Sequence, residues 1–331
     1  MKIITVYGEM LRTTEIPNSI TLSSAILYAI ALNTDDTQLK QMINDFLSGN
    51  PPFVVSNAMP LLKVNENTIR FYPAPNHDFL GLKKLRFKEI EEYRFYKDLH
   101  RIRYIPEDTL LSIINGEIIE DNEIRMRLLD LWRKLSSRLK RVSTMHTAIA
   151  RIFGKAAEGM LFSNIVYRLH GLGIFFYIAY NDVYEKEVLR GIRVLADLGV
   201  GGKRTWGLGK IENLRIESRY PEKLFRENID EKAYFYLLSD IAASNGMDLA
   251  KSYYNVSYRR AVVSNIPHVF MKKGYFYLAA GGIIKMEGHV TEILPRLAIL
   301  GESIPSGSYL DRNIIEIGYG LGIPMVMPHE D

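Results

Sequence analysis

Apolar positions recur at helical spacing from Val188 to Leu198, where Val188, Ile192 and Leu195 mark one face and Leu189, Ala196 and Leu198 widen it. An amphipathic helix is predicted there. The pattern then breaks into Gly199, Gly201, Gly202, Gly207 and Gly209, with Lys203, Arg204, Thr205 and Trp206 among them. It resumes as a strand in GKIENLRIE, where Ile211, Leu214 and Ile216 are apolar. Upstream, Lys2 to Tyr7, Phe53 to Leu62 and Thr68 to Tyr72 read as strands, the last stopped by Pro73 and Pro75, which cannot donate to a ladder. Between the first two strands, Thr21 or Ser23 can cap a helix over LSSAILYAIAL.

Residues 76–140 change character. Charges of both signs alternate with aromatics, as in KKLRFKEIEEYRFYKDLHRIRY. LLDLWRKLSSRLKR then places Leu128, Leu131, Trp132 and Leu135 on one helical face, with Arg133, Lys134, Arg138 and Lys140 on the wetter side. This stretch reads as an inserted, partly helical arm. VSTMHTAIA, LFSNIVYRL and GIFFYIAY follow as three strands of an antiparallel set. After Arg219-Tyr220-Pro221 comes a β-rich unit containing AYFYLLSDIAA, YYNVSYRRAVVS, GYFYLAAGGIIKM and LPRLAILG, and it closes on NIIEIGYGLGIPMVMP.

The first unit therefore runs β-α-β-β-(arm and extra strands)-α-β, the split βαβ or ferredoxin-like order. The expected class is α+β. It comprises a ferredoxin-like, RRM-like domain over 1–218, with an inserted arm at about 76–140 and a glycine-rich loop at 199–209, then a second, degenerate ferredoxin-like domain over 219–331.

Composition narrows the function without naming it. The chain has 331 residues, 47% hydrophobic and 24% charged, as ordinary globular proteins are. A net charge of +4 permits a local basic surface but does not demand a nucleic acid. The absence of cysteine excludes disulfides, thiolate metal sites and a cysteine nucleophile. The start, MKIITVYGEM, lacks the charged and apolar regions of a signal peptide. No uncharged apolar run approaches the roughly 20 residues that span a bilayer. Cytoplasm is the expected location, with no membrane partner, no metal and no cofactor.

The glycine run carries the candidate chemistry. Five glycines in the eleven residues 199–209 let the backbone approach another molecule closely and offer free N–H groups to an anion. Lys203 and Arg204 add two cations, and Trp206 adds a face for a base. The order is helix, glycines, strand, the reverse of dinucleotide and P-loop sites, and neither G-x4-G-K-[ST] nor G-x-G-x-x-G is present. A phosphate backbone with a base beside it fits better than a mononucleotide. A plain helix cap followed by a glycine turn would use the same residues.

On these residues the chain resembles the RAMP superfamily of CRISPR effector subunits. Helix plus GVGGKRTWGLGKI resembles the family's glycine-rich basic loop, and IPNSITLSSAILYAIAL resembles its proline turn and serine-rich helix entry. RVSTMHTAIARIFGKAAEGMLFS is similar to the segment of the Csm-type subunit that holds the 5′ end of the guide, and IGYGLGIPMVMP to that subunit's end. The resemblance implies a non-catalytic subunit of a type III complex, one that grips the repeat-derived 5′ tag of the crRNA. It implies a large polymerase/cyclase-like subunit and backbone RAMP subunits as neighbours, with an arm reaching the guide–target duplex. The implied RNA contacts are Gly201, Gly202, Lys203, Arg204, Thr205, Trp206 and Gly207, with Arg141, Ser143, Thr144, His146 and Arg151 behind them. The alternative is a RAMP endoribonuclease that cuts precursor crRNA without metal through a histidine. The seven histidines (77, 100, 146, 170, 268, 289 and 329) lie far apart, leaving His146 with Lys155 as its conceivable pair.

Overall fold

The computed structural model describes residues 1–64, 67–82, 90–150, 155–221, 223–224, 234–260, 273–287, 291–294, 297–309 and 312–327. Strand β1 (Lys2–Glu9) and the short β2 (Arg12–Thr13) lead to helices α1 (Ser19–Ala31) and α2 (Asp36–Leu47). Next come β3 (Phe53–Val55), β4 (Met59–Val64), β5 (Asn67–Pro73), α3 (Ile90–Leu99), β6 (Tyr104–Pro106), α4 (Glu107–Ile114) and α5 (Asn122–Arg138). A long hairpin of β7 (Leu139–Ala150) and β8 (Lys155–Leu169) precedes β9 (Leu172–Tyr180), α6 (Glu185–Leu198) and β10 (Glu212–Glu217). The main sheet runs β10-β1-β9-β4-β5-β6, with β3 also on β9. The pairs of β1, β4 and β10 within it are antiparallel. The passage from β1 through α1 to β4 skips over β9, and the passage from β9 through α6 to β10 skips over β1. The class is α+β, as expected.

Local chemistry explains where the elements differ from expectation. Helix α1 begins at Ser19, capped by Asn18, whose side chain accepts the Thr21 N–H at 3.0 Å. The cap is therefore not Thr21 or Ser23, which lie inside the helix. Phe53 to Leu62 is two strands rather than one. Its interruption at Ser56-Asn57-Ala58 arises because the Ser56 N–H donates to Tyr177 while the Asn57 N–H donates to Leu238, far along the chain. Helix α2, capped by Asp35, buries only Met42 and Phe46.

The charged 76–140 stretch is largely fastened to the body. β6 forms an edge of the main sheet. Leu110, Ile113 and Ile114 of α4, and Leu128, Leu131 and Leu135 of α5, join the principal core, while Arg133, Lys134 and Arg138 are exposed. The element that stands apart is the β7–β8 hairpin, which with β2 makes a separate three-stranded sheet.

The second half contains β11 (Tyr234–Leu237), β12 (Met247–Tyr253), β13 (Val256–Arg259), β14 (Tyr275–Leu278) and β15 (Ile283–Met286). It continues with β16 (Thr291–Leu294), β17 (Leu297–Leu300), β18 (Ser303–Tyr309), β19 (Arg312–Ile317) and β20 (Gly320–Met325). Six of these form the sheet β12-β15-β11-β20-β17-β16. Tyr236, Leu238, Tyr319, Leu321 and Ile323 share one core with Phe46, Phe53 and Tyr72 of the first half. A polar clasp reinforces the seam. The buried Asp240 carboxylate accepts Asn18 Nδ2 at 2.6 Å, Asn57 Nδ2 at 2.8 Å and the Ala280 N–H at 3.0 Å. Among the described residues no helix is long and apolar enough to cross a membrane.

Candidate nucleic-acid interface

Helix α6 buries Val188, Ile192 and Leu195, and it stops at Gly199, whose φ of +75° favours glycine. The chain then forms a neck. The Val200 N–H donates to Gly209 at 2.8 Å, and the Gly209 N–H donates to Arg12 O at 2.8 Å. A Cβ on Gly209 would lie 1.8 Å from the Val200 carbonyl oxygen, so only glycine closes this neck. Buried Val200 and Leu208 anchor the two sides. The stretch between them projects outward. Lys203 takes a left-handed φ of +58°, Arg204–Trp206 forms a single 3-10 turn, and Gly207 returns with φ of +74°. Open space surrounds Gly207, so Gly207→Ala meets backbone strain and no clash. It is expected to destabilise the fold by about 1 kcal/mol, read from chemical denaturation midpoints.

The β7–β8 hairpin supplies the other wall. The His146 ring lies 4.9 Å from that of Trp206 and 5.6 Å from that of Phe162, stacked on the latter at 21°. Lys203 Nζ sits 4.9 Å from the centre of the Trp206 ring and donates to Asn164 Oδ1. Thr144 Oγ1 is 3.0 Å from His146 Nε2 and donates to the Asn164 carbonyl at 3.2 Å. The Arg204 guanidinium covers Tyr28 of α1 at 5.4 Å. Among the described residues the two cations thus rest on rings and an amide oxygen rather than on carboxylates, which leaves their charge available to an anion. Trp206 remains 47% exposed and Phe162 43%, so aromatic surface faces solvent beside that charge.

The predicted contacts divide accordingly. Lys203, Trp206, Thr144 and His146 come together, Arg204 is next in the turn, and Thr205 and Gly202 are exposed nearby. Gly201 and Gly202 run past Thr14, whose atoms lie 3.5 and 3.7 Å from where their Cβ atoms would be. Side chains alternate along β7, so exposed Arg141 and Ser143 belong to the opposite face from Thr144 and His146. Arg151 lies outside the described residues. Phe162, Asn164 and Tyr28 were missing from the sequence reading. The alternation in LFSNIVYRL, which pairs Phe162 and Asn164 on one face, was the available signal for two of them.

The outer face of the hairpin is different, with Met145 62%, Leu161 66% and Ile165 44% exposed. Strand register sets His146 opposite Phe162 and Lys155 opposite Ala150, so His146 and Lys155 are not cross-strand partners. Among the described residues no group of three His, Asp or Glu could hold a metal ion.

No family model matches the sequence, and neither does any curated protein. Solved structures do share the fold. A chain of the Csm3–Csm4 subcomplex in the type III-A CRISPR-Cas interference complex superimposes with a TM-score of 0.60 at 16% identity, over 98% of this chain and 100% of that one. A chain of the Csm1–Csm4 cassette in complex with cA4 gives 0.58 at 14% identity, over 98% and 99%. The same cassette in complex with cA3 gives 0.56 at 15% identity, over 99% of each. Csm4 is the component common to these assemblies, and this chain shares its fold over 98–99% of its length.

Proposed function

We propose that the chain serves as the Csm4-type RAMP subunit of a type III CRISPR effector complex, gripping the 5′ tag of the crRNA and joining a large subunit to the backbone subunits. One observation carries this reading: half-exposed Trp206 stands against His146 and beside Lys203 and Arg204, on a loop held by a locked backbone neck. The shared fold supports it, since its counterparts occur in assemblies with Csm1 and with Csm3. The strand order β10-β1-β9-β4, with each helical crossover skipping one strand, supports a ferredoxin-like reading of the first unit. The second unit from residue 219 carries its own sheet, packed on the first. The β7–β8 hairpin, adjoining the charged 76–140 stretch, is the better candidate for the arm, because it stands off the main sheet.

In this reading loop N–H groups and the two cations meet tag phosphates, while one splayed base stacks on Trp206. The loop orders RNA and performs no reaction. Stacking on one aromatic is worth about 1–3 kcal/mol, so Trp206→Ala is expected to weaken binding of tagged crRNA roughly five- to a hundredfold. A filter-binding titration with unchanged affinity would remove Trp206 from the interface. In the same assay Lys203→Ala/Arg204→Ala should flatten the salt dependence of log K by about 0.7 unit per lost phosphate contact, the single-strand value.

A further inference from the structure

A cleft far in sequence from the glycine loop has its own chemistry. It is a surface cleft of about 540 Å³ where the end of β5, the turn before β6 and two turns of the second half meet. Its volume falls within the roughly 300–1,000 Å³ of small-molecule sites. Two of the seven histidines, His77 and His100, line it together with Arg103, Asn76 and Asn255. Phe79, Leu80, Leu99 and Ile102, all buried, give it an apolar side.

The walls are fixed from both halves. The Ala74 N–H donates to Arg103 O at 2.8 Å, and the Asn76 N–H donates to Gly281 O at 2.9 Å. The approach at Gly281 is so close that a Cβ there would lie 2.4 Å from Ala74 O. The His77 ring stands edge-on to Tyr253 at 4.7 Å, and the His100 ring edge-on to Tyr96 at 4.5 Å. Asp78, the acid in the lining, accepts the Leu82 N–H at 2.7 Å. Asn76 is the telling residue. Its Oδ1 accepts from Asn255 at 2.7 Å, which orients the amide, yet its Nδ2 is buried without a hydrogen-bond partner. A buried donor left unused is costly unless something else supplies an acceptor.

We propose that this cleft binds a mononucleotide. Arg103 and the two imidazoles take the phosphate, the apolar side takes the planar base, and Asn76 Nδ2 donates to an acceptor on the base edge. The site is independent of tag binding at the glycine loop. The test is calorimetric titration of the full-length, nucleic-acid-free protein with AMP, inorganic phosphate and adenosine. One AMP per chain is expected, with both fragments weaker than AMP. Arg103→Gln and His100→Gln should each weaken AMP about tenfold or more, the loss of one charge-assisted contact. Both side chains belong to exposed residues, so unchanged thermal midpoints separate a lost site from a lost fold. In the wild-type protein, AMP should also shift the imidazole proton resonances of His77 and His100 while leaving His146 in place. Absence of AMP binding at millimolar concentration, phosphate binding as tight as AMP, unaltered affinity in both variants, or shifts confined to His146 would each overturn the proposal.

Discussion

Asp240→Ala is expected to cost about 3–5 kcal/mol, since each buried donor left unpaired costs about 1–3 kcal/mol, and that is a large part of the roughly 5–15 kcal/mol that holds an ordinary domain together. The carboxylate is buried and is the common acceptor for Asn18, Asn57 and the Ala280 backbone. Hydrogen bonds to a charged group contribute about 1.5–3 kcal/mol each, and they are not simply additive when one acceptor serves all three. Alanine would leave three donors dry at one spot. The location aggravates the loss, because Asn18 caps α1, Asn57 interrupts the β3–β4 run and Asp240 follows β11. Asp240→Asn keeps one acceptor but turns an NH2 group either toward the Asn18 NH2 or toward the Asn57 NH2 and the Ala280 N–H, so it should fall between wild type and alanine. Urea unfolding measures both variants. A loss below about 1 kcal/mol for alanine would mean that the seam is held by apolar packing alone.

The second large effect is alkaline. Tyr72, Tyr177 and Tyr236 are wholly buried, and burial pushes all three phenols above their ordinary range. Tyr72 and Tyr177 share a 2.6 Å hydrogen bond, and Tyr72 also donates to Glu107 at 3.1 Å. Tyr236 donates to the Pro73 carbonyl. The folded phenols hold their protons more tightly than unfolded ones. Their contribution is therefore complete below the ordinary tyrosine pKa of about 10 and is lost as pH rises toward the folded values. Each such group removes about 1.4 kcal/mol per pH unit in that window, so these three together remove about 4 kcal/mol per pH unit. Urea midpoints should be level through neutrality and collapse within about one to two pH units above 10. Tyr177→Phe should make the fall shallower by the share of one phenol, about 1.4 kcal/mol per pH unit. A curve no steeper than that of exposed tyrosines would contradict the burial argument.

What the sequence disclosed was what is local. The apolar face of α6 and the glycines after it are contiguous, so both could be read directly. Asn18, the cap of α1, sits in the Pro17 turn ahead of a run with Thr21 and Ser23, which are also favoured caps by residue type. Helix α2 has no legible apolar stripe, because only Met42 and Phe46 mark its inner side. The meeting of His146 with Trp206 depends on how a hairpin pairs and where it leans, and neither is written in spacing. The same holds for His77 and His100, isolated in the chain yet lining one cleft. The charged 76–140 stretch suggested a solvated arm, because its buried leucines and isoleucines are diluted among ionic residues that cover the outside.

The β7–β8 ribbon has two sides with separate duties. Its inward side, His146, Phe162 and Asn164, is committed to the Trp206 turn, whereas its outward side offers Met145, Leu161 and Ile165 to whatever passes. Consecutive residues of a strand point opposite ways, so mutations can accumulate on one side without touching the other. Lineages carrying this fold can consequently refit the ribbon to a new neighbour in small steps, each leaving the aromatic nook intact. An insertion or deletion of an odd number of residues is the costly change, because it would exchange the two sides at once.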